Sequence, residues 1–317
     1  MHYRKLGKTP FSVSSVAMGC WPISGITSLD VNREDSLATL LKSVDCGINF
    51  FDTAWSYGIS EELIRDAFAG RRDEVVIATK GGLYRDGKQQ FTDGRPDVVR
   101  RHCEGSLTRL GTDRVELYYL HAPDPNVPVS ETAGVFTELI AEGKILSAGA
   151  SNLTLKQLQE FHTVCPLTAI QPPYNMLLRD IEGDILPWCR SHDISVCCYW
   201  PLMKGLLSGQ LPRDHVFDEA DGRKKYPMFQ GAEWQKNQDF VDALRVLAAD
   251  LDTDLTSMVI AWTIQRPGIT SALCGAKRAW QIEESARGGS FVLTADAVAR
   301  IDAAIAHRGM AITRAAV

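Results

Sequence analysis

Eight short apolar runs, alternating with longer amphipathic stretches, constrain this chain more than any other feature. The runs are Ser15–Met18, Ile48–Phe51, Val75–Thr79, Val115–Leu120, Ile145–Ala150, Thr168–Ile170, Ile194–Cys198 and Ile269–Leu273. A strand with one face in water alternates apolar and polar residues. These runs are continuous, as expected of parallel strands covered on both faces. Parallel neighbours need crossover connections, which helices supply. Arg33–Cys46 sets Leu37, Leu40, Leu41 and Val44 on one helical face, and Pro96–Leu110 opens on a proline suited to a first turn and stops before Gly111. Val129–Ala141, Thr154–Phe161, Ile181–His192 and Arg278–Ala286 continue the series, with Asn237–Ala249 and Leu255–Gln265 as two helices between the last two strands.

Eight such repeats in 317 residues predict an α/β protein of the closed (β/α)8 TIM-barrel type, with residues 1–317 forming one domain. Residues 2–14 read as a β-hairpin turning at Gly7-Lys8 and plugging one end of the barrel. Residues 294–307 read as an extra C-terminal helix capped by Thr294.

Composition narrows the function classes. Hydrophobic residues make up 45% and charged residues 23%, and the net charge is -5. Nucleic-acid binding usually leaves a basic stripe. The longest basic cluster here, Arg223-Lys224-Lys225, reads as solvated loop. No apolar run reaches the ~18 residues of a membrane span. The expectation is therefore no nucleic acid and no membrane, and nothing in the sequence sets an oligomeric state. Five of the eight cysteines (Cys46, Cys103, Cys189, Cys197 and Cys198) sit in apolar periodic segments, and the first ten residues are polar, unlike a signal peptide. A reducing, cytoplasmic location is expected. Cys189 and His192 have ligand-like spacing but no second pair, so no metal is expected.

A barrel of this type carries its functional residues just past the C-terminal ends of its strands. Asp52, Lys80, His121, Ser151-Asn152, Gln171, Tyr199 and Cys274-Gly275-Ala276-Lys277 all fall there. They would converge on one rim and define one pocket. Trp21, Trp55, Tyr84 and Trp200 are aromatic candidates for its wall. No G-x-G-x-x-G follows a strand, so a dinucleotide would have to bind on the rim itself.

At this point a resemblance enters. Asn49-Phe50-Phe51-Asp52-Thr53-Ala54-Trp55-Ser56-Tyr57-Gly58, with Ser60-Glu61, resembles the aldo-keto reductase signature. So do the segment from Cys103 to Gly111 leading into Leu117-Tyr118-Tyr119-Leu120-His121, and Gly149-Ala150-Ser151-Asn152. Gln171-Pro172-Pro173-Tyr174-Asn175 and Pro201-Leu202 with Gly205 to Gly209 complete the match. The resemblance implies a catalytic tetrad of Asp52, Tyr57, Lys80 and His121, an NADP(H) cofactor and a small-molecule carbonyl substrate. It also implies that Ser151, Asn152 and Gln171 hold the nicotinamide carboxamide and that Tyr199 stacks on the ring. Leu202, Lys204, Gly205 and Leu207 would line the pyrophosphate, and Gly275, Lys277, Gln281, Glu284 and Ser285 would surround the adenosine end. Three positions depart from the pattern: Trp200 replaces a common serine, Ala122 a frequent tryptophan and Ser285 a frequent asparagine.

The residues suit carbonyl reduction. Tyr57 would give the proton, and an unperturbed phenol has a pKa of about 10. A Lys80 cation nearby is expected to lower it, with Asp52 fixing the lysine and a neutral His121 orienting the carbonyl. Lys277 and Arg278 would read a 2′-phosphate. Two other readings stay open. One is a cofactor-holding barrel that reports redox state with little turnover. The other is a Schiff-base aldolase using Lys80, against which Asp52 argues by keeping the amine charged.

Overall fold

The eight apolar runs are the eight strands of one closed barrel in a computed structural model that describes residues 1–26, 30–87, 89–219 and 221–312. The strands are β1 (Val16–Gly19), β2 (Phe50–Asp52), β3 (Val76–Gly81), β4 (Leu117–Leu120), β5 (Ala148–Ser151), β6 (Leu167–Gln171), β7 (Ser195–Tyr199) and β8 (Ile269–Gly275). Each pairs in parallel with the next, and β8 closes on β1. This is the expected (β/α)8 barrel.

Side chains alternate along each strand, and the alternation divides the interior in two. Ala17, Phe50, Ala78, Tyr119, Ala169, Cys197 and Leu273 point inward and pack with one another. Met18, Phe51, Ile77, Tyr118, Leu120, Ile170, Val196 and Cys198 point outward into the larger core under the helices. The hairpin of Tyr3–Lys5 and Ser12–Ser14 closes the N-terminal end, as expected. Its Leu6 and Val13 join the inward core. The Gly7 amide donates to Ser195 Oγ at 2.8 Å, and Arg4 Nη1 donates to the Ile269 carbonyl at 2.9 Å.

The helices are α1 (Arg33–Asp45), α2 (Ser60–Ala67), α3 (Pro96–Leu110), α4 (Val129–Ala141), α5 (Leu155–Val164), α6 (Ile185–Ser191), α7 (Gly231–Asp250), α8 (Leu255–Gln265), α9 (Ala279–Gly288) and α10 (Ala295–Arg308). Local chemistry sets their ends. Pro96 opens α3, and Gly111, at φ 63°, ends it in the left-handed region that glycine tolerates. Thr154 and Gln157 form a reciprocal capping box on α5, and Thr294 caps α10.

Three features differ from the sequence reading. Leu41 is exposed on α1, while Ser36, Thr39 and Ser43 are buried; their hydroxyls bond back to Asn32, Asp35 and Thr39 carbonyls, which makes burial tolerable. The helix expected over Ile181–His192 breaks at Gly183, and Asp184 caps the shorter α6. Neither α2 nor a second hairpin, Leu83–Asp86 with Gln89–Thr92, was expected.

Gly149 shows how tightly the barrel is filled. A Cβ there would lie 2.4 Å from the Tyr119 ring and 3.1 Å from the Ala169 carbonyl oxygen. Overpacking a closed core costs roughly 1–3 kcal/mol. Gly149→Ala should therefore lower the unfolding free energy by that amount, read as a lower urea midpoint with an unchanged slope of the transition. An unchanged midpoint would show that the ring yields freely.

Candidate active site

The polar layer follows from strand parity. Asp52, Lys80, Gln171 and Tyr199 each stand two residues beyond an inward core residue: Phe50, Ala78, Ala169 and Cys197. His121 stands two beyond Tyr119, and Ser151 two beyond Gly149. All six are therefore aimed at the barrel axis at its C-terminal end. At the equivalent positions of β1 and β8 stand Gly19 and Gly275, which add no side chain to the layer; Pro22 packs against Gly275 instead.

One hydrogen-bonded network joins most of the layer. Lys80 Nζ donates to Asp52 Oδ1 at 2.5 Å and to the Thr53 carbonyl at 2.7 Å. Gln171 Nε2 donates to Asp52 Oδ2 at 2.7 Å. Ser151 Oγ donates to the Gln171 carbonyl at 2.7 Å. Asn152 Nδ2 reaches Ser151 Oγ at 3.0 Å and the His121 carbonyl at 2.9 Å, and its Oδ1 accepts from Tyr199 Oη at 2.7 Å. Burial raises the Asp52 pKa and lowers that of Lys80, each opposed by the other's charge. His121 is held neutral: burial first, then Lys80 and Arg85, push its pKa well below the ordinary range. Among the described residues its buried Nδ1 has no hydrogen-bond partner.

Tyr57 reaches this layer from the loop after β2. The loop is anchored from behind: Arg109 of α3 donates to the Trp55 carbonyl at 2.8 Å and to Glu61 Oε2 at 3.2 Å. Buried Glu61 of α2 accepts from Thr79 Oγ1 at 2.7 Å, and Thr53 Oγ1 bonds Ser60 Oγ. Tyr57 makes edge contacts with Trp21 at 4.8 Å and His121 at 5.6 Å between ring centroids, and Lys80 Nζ lies 4.8 Å from its ring centre.

The expected acidification of Tyr57 by Lys80 is not what this geometry produces. Burial raises the phenol pKa, Asp52 and Cys20 raise it further, and Arg85 is the cation that opposes them. Lys80 Nζ lies over the ring, and its own charge is matched by Asp52.

The remaining candidates lie around the rim. Leu202 precedes a distorted turn, Met203–Ser208, in which Lys204 and Gly205 have φ of 56° and 91°. Leu207 is fully buried beneath this turn. Arg223, read as solvated loop, instead folds back: it pairs with Asp221 and lies beside Gly205. At the start of α9, Gln281 Oε1 accepts from the Lys277 and Arg278 amides, Ser285 is buried and Glu284 is half-buried, its pKa raised by burial. Lys277 Nζ is held by Asp30 at 2.8 Å, and Arg278 donates to the Asp30 carbonyl at 2.7 Å.

The four wall candidates divide. Trp21 contacts Tyr57, and Trp200 packs edge-on against Tyr199. Trp55 instead stacks on His102 and under Arg109 of α3, and Tyr84 stacks on Phe91 of its own hairpin. Sequence reasoning missed Arg85, for which the strand alternation around Tyr84 was the available signal, and gave no role to Glu61 and Arg109, although both lie in the matched motifs.

Residues 15–306 match the model of the Aldo/keto reductase family. The chain is 35% identical to the aldo-keto reductase YhdN of Bacillus subtilis, over 89% of this chain and 87% of that one. It is 32% identical to the NADH-specific methylglyoxal reductase of Escherichia coli, over 88% and 91%. The solved glycerol dehydrogenase AKR11B4 from Gluconobacter oxydans superposes with a TM-score of 0.90 at 32% identity, covering 97% of this chain and 96% of that one. The chain thus belongs to the aldo/keto reductase family, oxidoreductases that use a nicotinamide cofactor. No described helix is long and apolar enough to cross a membrane.

The supports of this site carry a pH dependence. His102, stacked on Trp55, accepts from the Gly82 amide through Nδ1, and burial lowers its pKa to about 4. An unfolded histidine titrates near 6.5. Between these values the unfolded chain binds the extra proton, so this contribution falls as pH falls. From about pH 7 to 5 the protein should lose about 2 kcal/mol more stability than its His102→Gln variant, measured by urea unfolding. Parallel losses in the two proteins would exclude His102 as the titrating group.

Proposed function

We propose that this protein reduces an aldehyde or ketone with hydride from NADPH, with Tyr57 giving the proton to the carbonyl oxygen. The observation that carries the reading is the meeting of Tyr57, the Lys80–Asp52 pair and a neutral His121 at the C-terminal end of the barrel. The buried, unpartnered His121 Nδ1 suits a site completed by a polar group from outside the chain, as a nicotinamide carboxamide would complete it.

When bound, the cofactor supplies the hydride. The chain supplies position and charge. Ser151, Asn152 and Gln171 would hold the carboxamide by exchanging bonds they now make to one another, and Tyr199, fixed through Asn152, would present its ring to the nicotinamide. Leu202, Lys204, Gly205 and Leu207 would line the pyrophosphate through their irregular backbone, and Gly275, Gln281, Glu284 and Ser285 the adenosine end. Neutral His121 orients the carbonyl. Because burial holds Tyr57 protonated, it is a full hydrogen-bond donor to that oxygen. It releases its proton only as the oxygen gains charge from the arriving hydride. Lys80 Nζ, engaged by two oxygens, serves to fix this arrangement.

Cofactor choice turns on Lys277 and Arg278, which would bind the 2′-phosphate. Asp30 occupies both in this structure, so a phosphate must displace a carboxylate. Lys277→Ala should weaken NADPH roughly tenfold to a hundredfold more than NADH, and Asp30→Asn should tighten NADPH. Fluorescence titration of both cofactors checks this; equal effects on the two would remove Lys277 from the phosphate site.

Tyr57→Phe should lower kcat by ~10²–10⁴ on a reactive aldehyde such as 4-nitrobenzaldehyde while leaving NADPH affinity nearly intact. A variant keeping more than about a tenth of kcat would refute the assigned donor. The raised pKa adds a second expectation: kcat of the native protein should not fall through loss of this proton between about pH 7 and 9, below the ordinary phenol range.

A further inference from the structure

We propose that Arg85 is the recognition point for a carboxylate on the carbonyl substrate, so that the favoured substrates are oxo-carboxylates rather than neutral carbonyl compounds. The inference rests on the reductase reading above and specifies the substrate class of that same site.

Arg85 lies on the hairpin that follows β3, the strand that carries Lys80. Alternation along the hairpin separates its side chains. Tyr84 is exposed and stacks on Phe91, while Leu83 is buried and Arg85 turns to the side of Trp21. The guanidinium carbon lies 4.9 Å from the Trp21 ring centre. Trp21 meets Tyr57 edge-on, and Tyr57 meets His121. One continuous aromatic wall therefore runs from the guanidinium to the reacting groups.

The guanidinium is fixed and incompletely satisfied. Its Nη2 donates to Gln90 Oε1 at 2.8 Å across the hairpin, where Arg85 and Gln90 are register partners. Its face rests on Trp21. Its Nε is buried, and among the described residues it has no hydrogen-bond partner. No described carboxylate pairs with it, although most arginines of this chain have one. A buried N–H without an acceptor is costly, and that cost is relieved when a ligand brings the acceptor. A planar fork of N–H donors matches a carboxylate in geometry as well as charge. The charge of Arg85 already acts on the reacting groups, lowering the pKa of both Tyr57 and His121.

The test compares 4-carboxybenzaldehyde with its neutral methyl ester, in the native protein and in Arg85→Gln and Arg85→Lys. The native protein should favour the acid in kcat/KM. In Arg85→Gln the acid-to-ester ratio should fall at least tenfold, through KM for the acid, and Arg85→Lys should restore part of it. The ratio cancels any common effect of the variant on folding or on Tyr57. No preference in the native protein, or an unchanged ratio in Arg85→Gln, overturns the proposal. Calorimetric titration with 4-carboxybenzaldehyde needs no turnover: affinity should fall at least tenfold in Arg85→Gln, and equal affinities overturn the proposal. Turnover of the ester without preference for the acid defeats only the role of Arg85. Failure to turn over either aldehyde with either cofactor defeats the reductase reading, and the titration still decides whether Arg85 holds the carboxylate.

Discussion

Everything at this site depends on the two-residue alternation of a strand whose neighbours form a closed ring. In an open sheet a strand can slip and bring a new set of side chains to the same face. In the barrel each strand is held on both edges, and a slip by one residue would turn Asp52 or Lys80 into the helix layer. Closure therefore fixes which residues face the axis. The inward layer of Phe50, Ala78, Tyr119, Ala169 and Cys197 determines that the next inward residues are Asp52, Lys80, His121, Gln171 and Tyr199.

That polar layer is not a source of stability. Lys80 and Asp52 are almost fully buried, and withdrawing such charges from water offsets much of what their attraction returns. Their arrangement is tolerable because Thr53, Gln171, Ser151 and Asn152 satisfy them in sequence. The stabilising burial lies elsewhere, in the outward faces of the strands against the helices and in the plug formed by Leu6 and Val13. The barrel thus separates the apolar layers that hold it together from a layer free to hold reactive groups.

The barrel was legible because its strands are continuous apolar runs, a signal that survives without knowledge of neighbours. The polar strand ends were legible for the same reason: once a run is found, so is its end. What escaped depends on partners distant in sequence. Nothing local to Lys277 announces Asp30, and nothing local to Tyr57 announces that burial and Asp52 raise its pKa against Arg85. Helix α2 escaped because its inward face includes a carboxylate, Glu61, whose partners Thr79 and Arg109 lie on other elements. Leu41 misled because periodicity gives a face but not which neighbour covers it; the serine and threonine hydroxyls of α1 can be buried through their own helix.

The hairpin that seals the N-terminal end has a kinetic consequence. With Leu6 and Val13 packed into the inward core at that end, the described polar layer faces the opposite end of the barrel. Under the proposed function, cofactor and carbonyl would both approach the layer from that end, and the one lying deeper would enter first and leave last. Order of addition would then follow from the architecture, and traffic through the mouth, rather than the chemical step, would be the natural place for turnover to be limited.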